Sequence, residues 1–145
     1  MIYLKQFLFS FLSTVGFSII FNVPKKSIFY ASLIGGIGWT IYFHLKSVTS
    51  SIMFALFIAS IVIGILGEIF ARIDKKPVTI FVIPGIVPLV PGYGVYLTML
   101  NLINNDFFKF AKIGTETLFS SGAISIGIIL VPSLSRLLKS KKTLK

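Results

Sequence analysis

The sequence predicts an all-α integral membrane protein of about five transmembrane helices, the fourth of them broken by proline and glycine. Three observations carry this. Of the 145 residues, 55% are hydrophobic and 12% charged, and the mean hydropathy is +0.96, outside the range of soluble domains. Charges and turn formers divide the chain into five apolar segments, roughly 6–22, 28–44, 49–71, 78–100 and 116–135, each near the ~20 residues that cross a bilayer. Residues 83–94 read IPGIVPLVPGYG, which places three prolines and three glycines in twelve residues of an apolar run.

The first segment follows Lys5 as a signal peptide would, but FSIIFNVP stands where a small-residue cleavage site belongs, so the segment is expected to remain as a span. Asn22, before Val23-Pro24, either caps the end of that helix or reaches into a site. The second segment carries Gly35, Gly36 and Gly38, which allow close helix approach, and ends in Trp39, Tyr42 and Phe43, an interfacial aromatic belt. His44 beside Lys46 reads as an interfacial side chain rather than a proton relay. The third segment has Ser60, Gly64 and Gly67, and also Glu68, the one acid inside an apolar segment. An intramembrane carboxylate is a candidate for proton coupling, while Arg72, four residues on, makes an ordinary helical ion pair the plainer reading. The fifth segment carries Ser121, Gly122, Ser125 and Gly127, and opens on Thr115-Glu116, read as an N-cap followed by a first-turn acid.

The fourth segment is built to prevent an unbroken helix. Pro84, Pro88 and Pro91 lack amide hydrogens and free the carbonyls of Ile80, Pro84 and Val87. Unsatisfied backbone at membrane depth is tolerated only where it is buried in protein or lines a wet cavity, which is how discontinuous helices form transporter sites. A helix restarting after Pro91 would offer its first amides, from Gly92 onward, to a carboxylate, and the freed carbonyls would suit an ammonium group or a cation. Pro84, Gly85, Pro88, Pro91, Gly92 and Gly94, together with Asn22, are therefore the candidate substrate-binding residues for a small zwitterion or carboxylate. Glu68 is the candidate for proton coupling. If the proline run turns back without crossing, the fold becomes four spans with a re-entrant segment.

The net charge of +10 does not point to nucleic acid, because the basic residues sit in short connectors and the C-terminal stretch instead of on one face. Placing Lys25, Lys26, Arg72, Lys75 and Lys76 with Arg136, Lys139, Lys141, Lys142 and Lys145 gives ten basic residues on one side, against four on the other. The positive-inside rule then sets the N-terminus outside and the C-terminus in the cytoplasm, with residues 1–138 as one transmembrane domain and 139–145 as a basic cytoplasmic tail. Zero cysteines and a single histidine leave no metal site, and no nucleophile, base and orienting group stand together for an enzyme. No cofactor is expected. One copy is too small for a two-bundle alternating-access path, so a partner or a homo-oligomer is required.

Three blocks, VGFSIIFNVPKKSIFYASLIGGIG at 15–38, FVIPGIVPLVPGYGVYLTM at 81–99 and SSGAISIGIILVP at 120–132, resemble the threonine/serine exporter-like proteins, in particular the small subunit that corresponds to the C-terminal domain of the fused exporters. The resemblance implies a multi-span protein of the bacterial cytoplasmic membrane that exports threonine, serine or small carboxylates such as succinate, with a separate larger membrane subunit; since no nucleotide-binding motif argues for ATP, the proton gradient is the expected drive. It brings no site residues of its own. A holin-like pore-former and an accessory assembly subunit are the alternatives, and the localised proline–glycine break is a feature a simple lesion-former does not need.

Overall fold

Four of the five junctions between helices turn through a non-glycine residue in the left-handed region: Asn22, Ser50, Lys75 and Asn105, with φ of 53–58°. Left-handed residues end helices by closing the last carbonyls against the following amides. The remaining junction uses proline instead. The structure is a computed structural model, in which the backbone is described for residues 1–142 and the side chains for residues 1–135. Its elements are α1 (Ile2–Ile20), α2 (Lys25–Thr49), α3 (Ile52–Asp74), α4 (Thr79–Ile86), a 3-10 turn (Val87–Leu89), α5 (Gly92–Ile103) and α6 (Phe107–Lys142). Among the described residues there is no strand. Four helices are long and apolar enough to cross a membrane, and α4 with its 3-10 turn plus α5 makes a fifth candidate, bent by 53°. The chain is an all-α membrane protein. The side chains of the basic residues from Arg136 onward, and residues 143–145 altogether, lie outside the described part.

The expected segments correspond to helices, with one correction. The fifth was placed at 116–135, but α6 begins at Phe107 and runs 36 residues. Its start is set by Asp106, whose Oδ1 accepts the Lys109 amide at 3.1 Å while its Oδ2 pairs with the Lys109 ammonium at 2.8 Å. These bonds hold the Asp106 carboxyl below the ordinary carboxylate range. A depressed pKa of this kind supports the turn at neutral pH, and the support is lost as pH falls through the depressed value. Thr115 does not cap: its hydroxyl donates back to the Ala111 carbonyl at 2.7 Å, the ordinary mid-helix behaviour of threonine.

Helix α1 buries only Ser10, Thr14 and Ser18 and turns Leu4, Leu8, Phe9 and Leu12 outward. In lipid the apolar face needs no shelter, and small or polar residues hold helices together. Ser10 Oγ donates to the Gly35 carbonyl at 3.0 Å, so α1 and α2 run antiparallel in close contact. Helix α2 meets α3 antiparallel in turn, with Tyr30 stacked on Phe70 at 5.0 Å and Gly38 beside Ile63. Helix α4 is wedged against both, Val82 beside Gly67 and Gly85 beside Ile34. The core is Ala31, Ile34, Ala59, Ile63, Phe81 and their neighbours.

Helices α3 and α6 point the same way. Gly127 lies against Ser60, Val131 against Gly64, and Ser135 against Arg72, so rising numbers in one match rising numbers in the other. The chain leaves α3 at one end of the bundle and must enter this parallel contact from the other. The broken segment α4–α5 therefore traverses the bundle and does not fold back. The small residues of the fifth segment do not all serve packing. A Cβ on Gly127 would overlap Ser60 Oγ and come within 2.8 Å of the Phe57 carbonyl, whereas one on Gly122 meets nothing within 4 Å.

Gly127→Ala should accordingly destabilise the bundle by about 1–3 kcal/mol, the range for overpacking against backbone, and Gly122→Ala should be neutral. Thermal unfolding of the two proteins in detergent tests this, and equal midpoints would mean that the α3–α6 contact is looser than described.

Candidate functional site

The carbonyls expected to stand free at the prolines are mostly taken. The Val87 amide donates to the Pro84 carbonyl, and the Val90 amide donates to the Val87 carbonyl at 3.1 Å. The chain tightens into a 3-10 turn and recovers two of the three acceptors that prolines remove from an α-helix. At the restart, the Gly92 amide donates to the Val90 carbonyl at 2.7 Å, so the first amide of α5 is not open, contrary to the sequence expectation. Tyr93 and Gly94 are the next first-turn amides, which an α-helix leaves without intrahelical acceptors.

The candidate residues other than Gly85 are distributed over three cavities. The largest share lines a cavity of about 420 Å³ beside the break, where Pro88, Pro91, Gly92 and Gly94 face Trp39, Tyr42, Glu116 and Thr117. A second cavity, of about 350 Å³, joins Asn22 and Pro24 to Thr79 and Pro84. Asn22 thus lies near one end of the broken helix, and it also occupies the left-handed position after α1, its amide donating to the Ile19 carbonyl at 3.1 Å. Gly85 is buried against Ile34.

Glu68 is in neither group. It borders a third cavity, of about 420 Å³, walled by aliphatic side chains such as Val82, Ile83 and Ile128. Its Oε2 accepts a hydrogen bond from Arg72 at 3.1 Å, and the same guanidinium donates to Ser135 Oγ at 3.0 Å. The pair ties one turn of α3 together and links it to α6.

Trp39, Tyr42 and Glu116 are the residues whose place at the break the sequence did not disclose. By sequence alone the two aromatics read as an interfacial belt, and Glu116 as a first-turn acid. The antiparallel packing of α5 on the first turns of α6, which sets Gly94 against Thr117 and Thr98 against Gly114, brings Glu116 to the cavity. The rings of Trp39 and Tyr42 lie 5.2 Å apart, and the indole donates to Gln6 Oε1 at 2.7 Å. His44 is exposed, and its Nδ1 lies 3.2 Å from the Tyr3 hydroxyl. Among the described residues no group of His, Asp or Glu is arranged to hold a metal.

Comparison with known proteins places this geometry in context. The family described as "Threonine/Serine exporter, ThrE" matches residues 6–134. An uncharacterized protein of Haemophilus influenzae is 30% identical over 135 residues, which cover 88% of this chain and 46% of that protein. The chain thus spans about half the length of that relative. No solved structure matches.

The packing of α5 on α6 separates the two glycines at the restart. A Cβ on Gly92 meets nothing within 4 Å, whereas one on Gly94 would overlap Thr117 Oγ1. Gly94→Ala should destabilise the protein by about 1–3 kcal/mol, and Gly92→Ala should be neutral or slightly stabilising. Adding Thr117→Ala should recover the Gly94→Ala loss, as expected for residues in direct contact. Thermal unfolding of the double-mutant cycle measures this, and independence of the two sites would refute the contact.

Proposed function

The chain belongs to the threonine/serine exporter family, and from that premise we propose that it is a membrane component of a secondary exporter of small amino acids or small carboxylates. The cavity beside the broken helix is its solute site. A traversing helix that breaks next to a cavity with aromatic, hydroxyl and carboxylate groups is the observation that supports this reading, since discontinuous helices are a general way to bind small polar solutes in lipid. The export path is completed by a larger membrane subunit or by further copies of the chain, because five helices form only one of the two bundles that alternating access uses. Transport has no chemical step on the protein, and the free energy comes from the proton gradient.

Glu68 is the proposed coupling residue. It lies inside α3 with its side chain only 18% exposed, next to a helix that would move if α4 shifts. The protein resides in the bacterial cytoplasmic membrane, with the N-terminus outside. The end of the bundle that carries Lys25, Lys26, Lys75 and Lys76 faces the cytoplasm, as the positive-inside rule requires.

Vesicles containing this chain and its larger partner should release preloaded serine, threonine or succinate when a proton gradient is imposed, and vesicles with the chain alone should release little. Glu68→Gln should abolish the gradient-driven component and leave solute exchange intact. If Glu68 only pairs with Arg72, the change costs about 0.2–0.5 kcal/mol and transport persists. Full solute-specific transport by the purified chain alone would exclude the partner.

Orientation is read separately, with a fusion at Lys145 to a reporter active only in the periplasm. An inactive fusion is expected, and an active one would reverse the assignment of the basic end.

A further inference from the structure

We infer that Glu116 is the ammonium acceptor of the cavity beside the helix break, and hence a residue that sets specificity for solutes carrying a primary ammonium over carboxylates that lack one. The inference rests on the proposed solute site and deepens it. The chain has four acids, and three of them are matched: Glu68 by Arg72, Asp106 by Lys109, and Asp74 by the buried Ser27 hydroxyl. Glu116 makes no hydrogen bond or ion pair among the described residues, although Lys112 precedes it by one turn of the same helix. It is the acid that borders the cavity at the break. Glu116 is exposed, so it is open to a solute entering the cavity, and a carboxylate within a helix long and apolar enough to cross a membrane is costly unless something cationic completes it.

The rest of the cavity fits a cation at that point. The carbonyls of Pro84 and Val87, which the prolines would otherwise leave for an ammonium, are occupied within the 3-10 turn. Ammonium recognition therefore falls to a side chain. Tyr42 already carries the Lys46 ammonium 5.8 Å from its ring centroid, a cation–π distance. Trp39 packs beside it. Across the cavity stand the first residues of α5, whose Tyr93 and Gly94 amides suit the carboxylate of the same solute. A cavity of about 420 Å³ accommodates a small amino acid. A dicarboxylate would set its second carboxylate against Glu116, and like charges at short range disfavour binding.

Trp39 is the only tryptophan and lines this cavity, so its emission reports occupancy without a label. The full-length protein in lipid nanodiscs is titrated with L-serine, with ethanolamine, which keeps the ammonium and lacks the carboxylate, and with 3-hydroxypropionate, which has the reverse. Serine and ethanolamine should change the emission saturably, and 3-hydroxypropionate at least tenfold more weakly than serine. Glu116→Gln should weaken serine binding at least tenfold at unchanged thermal stability, and Glu116→Asp should keep most of it. The inference is overturned if Glu116→Gln binds serine like the parent, if 3-hydroxypropionate binds as tightly as serine, or if the parent responds to neither ammonium compound. Intact binding with no export in vesicles would count against the exporter reading alone, and export unaffected by Glu116→Gln against this inference alone.

Discussion

Backbone polar groups inside a bilayer have no water to fall back on, and the rest of the molecule is arranged around how one segment meets that constraint. Pro84, Pro88 and Pro91 make a regular fourth helix impossible. The chain responds with a single 3-10 turn, Val87–Leu89, followed by an extended step at Val90, so that the lost α-helical bonds are replaced by shorter ones. The result is a bend with few loose acceptors. A bend of this kind can stand next to a cavity without requiring the cavity to be filled with water, and it redirects α5 away from α2 and α3 and onto α6. The position of every polar group at the site follows from that redirection.

The remaining helices are held by shape. Hydroxyls and glycines alternate across the α1–α2 contact: Ser10 bonds the Gly35 carbonyl, Thr14 bonds the Ser10 carbonyl, and the Thr14 side chain fills the space a Cβ on Gly35 would take. Ser60 does the same for Gly127 across the α3–α6 contact. Such contacts give rigid pairs, since a notch matched to one side chain does not accept another register. Helix α5 has no buried residue and packs chiefly on α6, keyed to it by Thr117 at Gly94 and Thr98 at Gly114. The cavity beside the break is thus bounded on one side by a tightly keyed bundle and on the other by its least buried helix.

The sequence disclosed the class, the spans, the break and the Glu68–Arg72 pair, because each depends on residues near one another in the chain. It also disclosed the notches at Gly35, Gly64 and Gly67, whose partners did not need to be known. The start of α6 was misplaced because Lys109 and Lys112 look like a connector, although charged residues sit comfortably on an exposed helix turn beyond the hydrocarbon. That one error hid Glu116, which as a first-turn acid needed no explanation and as a mid-helix acid does. The roles of Gly92 and Gly94 were indistinguishable for the same reason: which of them meets Thr117 is a matter of register between α5 and α6, and no local pattern encodes it. Trp39 and Tyr42 lie where an aromatic belt belongs, and only the three-dimensional course of the fourth segment brings Pro91 to them.

The parallel course of α3 and α6 has a consequence for how such a chain can be duplicated. Its first helix starts at the end of the bundle where Gln6 meets Trp39, and its last reaches the opposite end, where Ser135 meets Arg72. Two copies joined directly, one after the other, would therefore enter the bilayer upside down with respect to each other. The natural symmetry of a tandem pair would be a two-fold axis lying in the membrane plane, with one copy's cavity opening toward each face. Two separately made copies face no such condition, and can sit side by side in the same sense about an axis along the membrane normal.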